Sequence, residues 1–318
     1  MARRSRALMA TLMGTAVALG GVEIWASIQP IPRIQQVFEE SAYDLQMVDG
    51  IATWHGGWEY LERWNLDCTE QGRADVVLLG SSIFFGVHLD FSATLGHQLA
   101  PLLGSEAAPA CVVNLAQPGS AFENQDATAR LFTPKLRPRI VIWELWHNSV
   151  NHFTRIGSVV YNFGRLQRDR LGLPNPLGIP PVLNRVLFQV SAGYRYLDLT
   201  LAEEDKIRSV EHWSRFVDGV MAPALRRLQD EGAAVLLVYI PRLSRPFARS
   251  TVPESLNYQV AEAWAKEEGV PTLDLAAALG SADPEALGLD SCCHLNEEGT
   301  RRVAEILAGE VRRMKGAP

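Results

Sequence analysis

The stretch Val76-Val77-Leu78-Leu79-Gly80-Ser81-Ser82-Ile83-Phe84-Phe85-Gly86 constrains this chain more than any other. Four successive aliphatic residues read as a strand buried on both faces, which Gly80 ends. Two serines then stand where a parallel strand hands over to the next helix. Open α/β sheets place their ligands at that edge, outside the carboxyl ends of the strands. A serine on such a turn exposes its Oγ beside backbone N–H groups, as nucleophilic catalysis requires. The same residues also suit a turn followed by a helix N-cap, so the stretch alone does not separate chemistry from structure.

The rest of the 318-residue chain supplies a rhythm. Segments 74–79, 111–115, 139–144, 233–240 and 271–275 read as strands. Segments 89–100, 122–132, 207–232, 256–268 and 296–315 read as helices. Strand–helix alternation predicts an α/β fold over residues 74–318: a three-layer, flavodoxin-like parallel sheet with helices on both faces. Residues 150–205 break the rhythm with scattered aromatics (Phe153, Tyr161, Phe163) and the Pro-rich run from Leu173 to Pro181. They read as an insertion, a lid or substrate loop.

Residues 1–28 read as a membrane anchor or signal. Arg3, Arg4 and Arg6 precede Ala7 to Ala26, which is apolar except for Glu23 near its far end and small uncharged residues elsewhere. About twenty apolar residues span a bilayer, and the arginines favour a cytoplasmic N-terminus with the remainder exported. A cleaved signal peptide ending at Ala16-Val17-Ala18 is the rival reading; the apolar chain beyond that point favours an uncleaved anchor. Residues 29–73 read as a helical neck. Pro32 to Met47 is expected to form an amphipathic helix through Ile34, Val37, Phe38, Tyr43 and Leu45. Ile51 to Trp64, with three tryptophans and a Gly-Gly pair, is expected to pack on the domain or sit at the membrane interface. Export permits a disulfide, and Cys68 with Cys111 is the candidate pair, buried thiols being the alternative.

Composition narrows the function. An apolar content of 47% allows a sizeable core, and a net charge of −6 with both signs interspersed leaves no basic patch for nucleic acid. There is no GxxxxGK[ST], no GxGxxG and no His/Cys cluster with metal-ligand spacing, so neither a cofactor nor a metal is expected.

Four short blocks fall at one sheet edge: Gly80-Ser81-Ser82, Asn114-Leu115-Ala116-Gln117-Pro118-Gly119, Glu144-Leu145-Trp146-His147-Asn148 and Asp290-Ser291-Cys292-Cys293-His294. In order and spacing they resemble the SGNH/GDSL hydrolase superfamily over about residues 74 to 314. The resemblance implies Ser82 as nucleophile, His294 as its base and an acid orienting the imidazole. It also implies an oxyanion hole from the Ser82 and Gly119 N–H groups and the Asn148 side chain. Three departures stand out. Ser81 replaces the family's aspartate, and Trp146 replaces the glycine of the third block. The family's acid sits three residues before the histidine, a place held here by Ser291, so Asp290 is the acid expected to serve. A Ser-His dyad is the alternative.

The resemblance implies an exported, membrane-anchored serine enzyme acting on esters. It would be an esterase or deacetylase if water accepts the acyl group, or an O-acyltransferase if a sugar hydroxyl does. An acylated cell-envelope glycan is the substrate its location suggests. A catalytically silent SGNH-like domain binding a glycan or an envelope partner is the alternative.

Overall fold

The computed structural model describes residue 15 and residues 18–29, 36–39, 44–48, 51–55, 65, 68, 73–146, 153–156, 159–163, 166–169, 171–203, 210–241, 256–280, 282–290 and 293–316. Five strands form a parallel sheet: β1 (Val76–Leu79), β2 (Val112–Asn114), β3 (Ile140–Leu145), β4 (Ala234–Tyr239) and β5 (Thr272–Asp274). Their spatial order is β5-β4-β3-β1-β2. This is the flavodoxin-like order expected from the alternation, with its switch point between β1 and β3.

Period-2 alternation explains why these runs are wholly apolar. Val76 and Leu78, Ile140 and Ile142, and Leu236 and Val238 face one core. Val77 and Leu79, Val141 and Trp143, and Val235 and Leu237 face the other. The first core is closed by α1 (Ser82–Phe85), α2 (Leu95–Leu103) and the C-terminal helix Glu297–Gly316. The second is closed by α3 (Phe122–Leu136), by the helical run Val210–Asp230 and by helix Leu256–Glu267. The run Val210–Asp230 widens into a π turn at Val217–Met221, just before Pro223, a residue that has no N–H to give a regular helix.

The chain divides into two compact units. One comprises residues 40–153 and 206–318 and holds the parallel sheet; the other comprises residues 1–39 and 154–205. In the second unit, strand Gln36–Glu39 pairs antiparallel with Val159–Asn162, which also neighbours Phe153–Ile156. Within its 154–205 segment, α4 (Pro181–Val190) and α5 (Ala192–Leu201) pack around Tyr161, Phe163, Leu173, Phe188 and Leu199. Asn184 is the polar hub. It donates to Asp169 (3.0 Å) and to the Pro174 carbonyl (2.9 Å) and accepts from the Tyr194 hydroxyl (2.7 Å). The expected insertion thus has its own core, with a strand pair and two helices.

The helix expected over Pro32–Met47 is not formed. Gln36–Glu39 is a strand, and Asp44–Val48 pairs antiparallel with Ile51–His55, Val48 lying opposite Ile51. The residues between are Asp49-Gly50, the strongest short hairpin signal. A short isolated helix is marginal in water, whereas each strand here finds a paired neighbour. Among the described residues no helix is long and apolar enough to cross a membrane. Most of the expected span before residue 18 lies outside the described residues, and 18–28 is helical.

Cys68 and Cys111 are joined in a disulfide across a sequence separation of 43. Cross-linking a loop of that size removes about 2–4 kcal/mol worth of freedom from the unfolded chain. The double variant Cys68→Ser/Cys111→Ser is therefore expected to unfold at lower urea, by about that free energy, while keeping the native circular dichroism spectrum. An unchanged midpoint would show that the bond adds nothing.

Candidate active site

The site begins with what ends β1. Gly80 cannot carry a side chain: a Cβ there would lie 2.5 Å from Glu144 Oε2 and 2.9 Å from Phe84 Cβ. The backbone passes closely over the Glu144 carboxylate and turns into α1. Ser81 is the N-cap of that helix, its Oγ accepting the Ile83 N–H at 3.3 Å. The capping task thus falls on Ser81, which leaves the Ser82 hydroxyl for another partner.

That partner is His294. Its Nε2 lies 2.9 Å from Ser82 Oγ, and its Nδ1 is hydrogen-bonded to Asp290 Oδ2. Since Asp290 accepts from Nδ1–H, Nε2 is the acceptor facing the serine. Asp290 is held by its own loop, for Oδ1 accepts the N–H groups of Cys293 (2.9 Å) and His294 (3.2 Å). The loop is closed by the Gly288–Leu295 bridge and by the Leu289 N–H to the His294 carbonyl, 2.7 Å. The single extra residue between acid and base is absorbed there. The imidazole is 22% exposed and the carboxylate 42%. Asp290, Cys293 and His294 also bring ligand-type atoms within 4.8 Å of one another. Cys293 is disulfide-bonded, however, so it offers no thiolate to a metal, and the other two are already paired.

The loop after β2 is fastened to the same turn. The Gly80 carbonyl accepts from the Gln117 N–H (3.0 Å) and the Ser120 hydroxyl (2.8 Å). The Ser120 N–H reaches the Gln117 carbonyl, and Gly119 has φ +73°, so Pro118-Gly119 is the centre of a turn that needs glycine at its third position. Asn114 is structural: its side chain donates to the Phe84 carbonyl (2.8 Å) and accepts the Ala116 N–H (3.2 Å). Trp146 packs against the first core, and its carbonyl accepts from Asn257 at 3.0 Å. His147, Asn148 and Ser291 lie outside the described residues.

Two residues at the site have no role in the four-block pattern. His88 has φ +67°, uncommon for a residue with a side chain, and its ring stands edge-on to His294 with centroids 6.5 Å apart. Glu144 is the more consequential. It is 1% exposed, on the side of β3 that faces α1. Its Oε2 accepts the N–H groups of Ser81 (3.0 Å) and Phe84 (3.3 Å), and Oε1 is bonded to Ser81 Oγ. A carboxylate thus sits under the serine turn, carried by β3 in place of the residue before the serine. The signal in the sequence is a lone acid at a core-facing position of an otherwise apolar strand.

No family model matches the chain, and no curated protein matches it. Solved structures do. One named TesA has 16% identity, covers 75% of this chain and 98% of its own, and gives a TM-score of 0.46. A lipase/acylhydrolase from Enterococcus faecalis has 13% identity, coverage of 76% and 96%, and a TM-score of 0.45. A GDSL-like lipase from Bacteroides thetaiotaomicron has 12% identity, coverage of 77% and 90%, and a TM-score of 0.42. GDSL, a name of the superfamily that the four sequence blocks resemble, is carried by the Bacteroides thetaiotaomicron structure.

Burial pushes the Glu144 carboxyl up to about 7, against the pull of the donors on Ser81 and Phe84 and of nearby His294. An unfolded glutamate ionises near 4.5. Between those values the folded chain holds a proton that the unfolded chain has lost, so this group's contribution to stability falls as pH rises through that window. Glu144→Gln keeps an acceptor for both N–H groups and a donor for Ser81 Oγ. It should fold and lose that part of the pH slope. Glu144→Ala leaves two buried N–H groups unpaired, at about 1–3 kcal/mol each. Urea midpoints at pH 5, 6 and 7 test this; equal slopes in wild type and Glu144→Gln would assign the slope to another group.

Proposed function

We propose that the protein is a serine esterase of the SGNH type whose catalytic residues are Ser82, His294 and Asp290. The observation that carries this reading is the continuous hydrogen-bonded line from Asp290 through both ring nitrogens of His294 to Ser82 Oγ. As Ser82 Oγ attacks an ester carbonyl, its proton passes to Nε2. Asp290 keeps the Nδ1–H tautomer and stabilises the imidazolium. His294 then returns the proton to the departing alkoxide as the C–O bond breaks, leaving an acyl group on Ser82. An acceptor hydroxyl, deprotonated by the same nitrogen, releases the acyl group: water gives hydrolysis, a sugar hydroxyl gives transfer. Gly119 N–H and the Asn148 amide are the donors assigned to the oxyanion. The alternative of a silent binding domain draws on the displaced acid and on Trp146, and that acid is bonded to His294.

The same proposal places the protein at a membrane, with the catalytic unit outside the cytoplasm and an acylated envelope glycan as substrate. Support for the anchor comes from the three arginines, the apolar run 7–26 and the partner found by its one acid. Glu23 accepts from the Ser191 hydroxyl and from the Gly193 N–H (3.2 Å) at the start of α5. There it sits at the positive end of a helix dipole.

A fluorophosphonate should label the wild type on Ser82, and Ser82→Ala should take up none. Asp290→Asn should cut turnover of a soluble ester far more than Ser291→Ala, since it keeps the shape and removes the charge. Equal, near-native rates for the two would make the site a Ser-His dyad. Asn148→Ala should slow turnover by about 10²–10³-fold with the fold intact; an unchanged rate would remove Asn148 from the oxyanion hole.

A further inference from the structure

We infer that α4 is a membrane-docking helix, which lies in the surface of the bilayer that holds the N-terminal anchor. The inference rests on that anchor reading and adds a second contact to it. α4 leaves four aliphatic side chains in solvent: Val182 (65% exposed), Leu183 (49%), Val186 (49%) and Val190 (72%). At 3.6 residues per turn they occupy one face about 100° wide. Asn184 and Phe188, on the other side, fill the unit's own core. A face this apolar on a solvent-exposed helix marks an interaction surface.

Two observations select lipid as the occupant. The first is position. Glu23 lies three residues before the end of the apolar run, about 4.5 Å along a helix. It is bonded to Ser191 and Gly193, the junction between α4 and α5. Trp25 packs edge-on against Tyr196 of α5, with ring centroids 4.9 Å apart. An anchor leaving the bilayer at Ala26 therefore holds the C-terminal end of α4 at the level of the lipid headgroups. The second is charge. Arg185 is the one charged residue of α4, whose ten residues include no acid, in a chain whose net charge is −6. An apolar stripe flanked by a cation, on a helix without acids, suits an anionic lipid surface.

The test uses the full chain in vesicles of phosphatidylcholine and phosphatidylglycerol whose acyl chains carry bromine. Leu183→Cys and Val186→Cys, each labelled with the fluorophore NBD, report on α4. Gln229→Cys, an exposed position on the helical run Val210–Asp230, is the water-facing control. Docking predicts a blue-shifted NBD spectrum at 183 and 186 and several-fold stronger bromine quenching than at 229. Quenching at 183 and 186 no stronger than at 229, in protein that stays with the vesicles, overturns the inference. A blue shift without quenching also overturns it: one that grows with protein concentration points to a second copy, and one that does not points to protein covering within the chain. Release of the chain from vesicles by alkaline carbonate would overturn the anchor instead, which the quenching reads separately.

Discussion

The serine turn depends on a carboxyl group buried beneath it. Glu144 reaches the Ser81 N–H, the Ser81 hydroxyl and the Phe84 N–H, so one side chain ties β3 to both ends of α1. Its proximity fixes Gly80, because any Cβ there would collide with Oε2. Gly80 in turn offers its carbonyl to Gln117 and Ser120, which seats the loop carrying Gly119. Three of the four sequence blocks thus meet through this group. A buried acid costs free energy unless its bonds are made. The return is a serine turn bonded both to β3 and to the loop after β2.

The parallel sheet was legible because its strands are apolar on both faces, which only a doubly covered sheet explains. The Ser82–His294–Asp290 geometry followed from block order, since three blocks fall at the carboxyl edge of a strand and the fourth lies in the loop before the C-terminal helix. Glu144 stood in the third block, yet its role was hidden: nothing in the sequence says that an acid at the end of β3 will cap a turn after β1. The stretch 32–55 was misjudged for a different reason. Its apolar spacing permits a helix, but Val159–Asn162 and the Asp49-Gly50 hairpin decide in favour of strands, and the first of those partners is more than 100 residues away.

The displaced acid shows how a loop tolerates an insertion. Asp290 uses one oxygen to accept two backbone N–H groups from the end of its own loop and the other to meet His294. The first oxygen ties the residue down locally, as an aspartate in a turn commonly does. The second is then aimed by that tether. A serine at this spacing would meet the same imidazole without negative charge, so an imidazolium formed during attack would go unstabilised.

On the proposed membrane reading, the second unit joins anchor and surface through Glu23. Read as sequence, Glu23 is a flaw in an apolar span, since a charge inside lipid is costly. Its partners change that assessment. The Ser191 hydroxyl and the Gly193 N–H are groups that α5 must satisfy at its N-terminus in any case, and an acid there offsets the helix dipole as well. The same bonds fix where the α4–α5 junction stands relative to the end of the apolar run. The same reading accounts for the apolar face of α4: in water, four exposed aliphatic side chains are a liability, whereas beside headgroups they would be a second foothold.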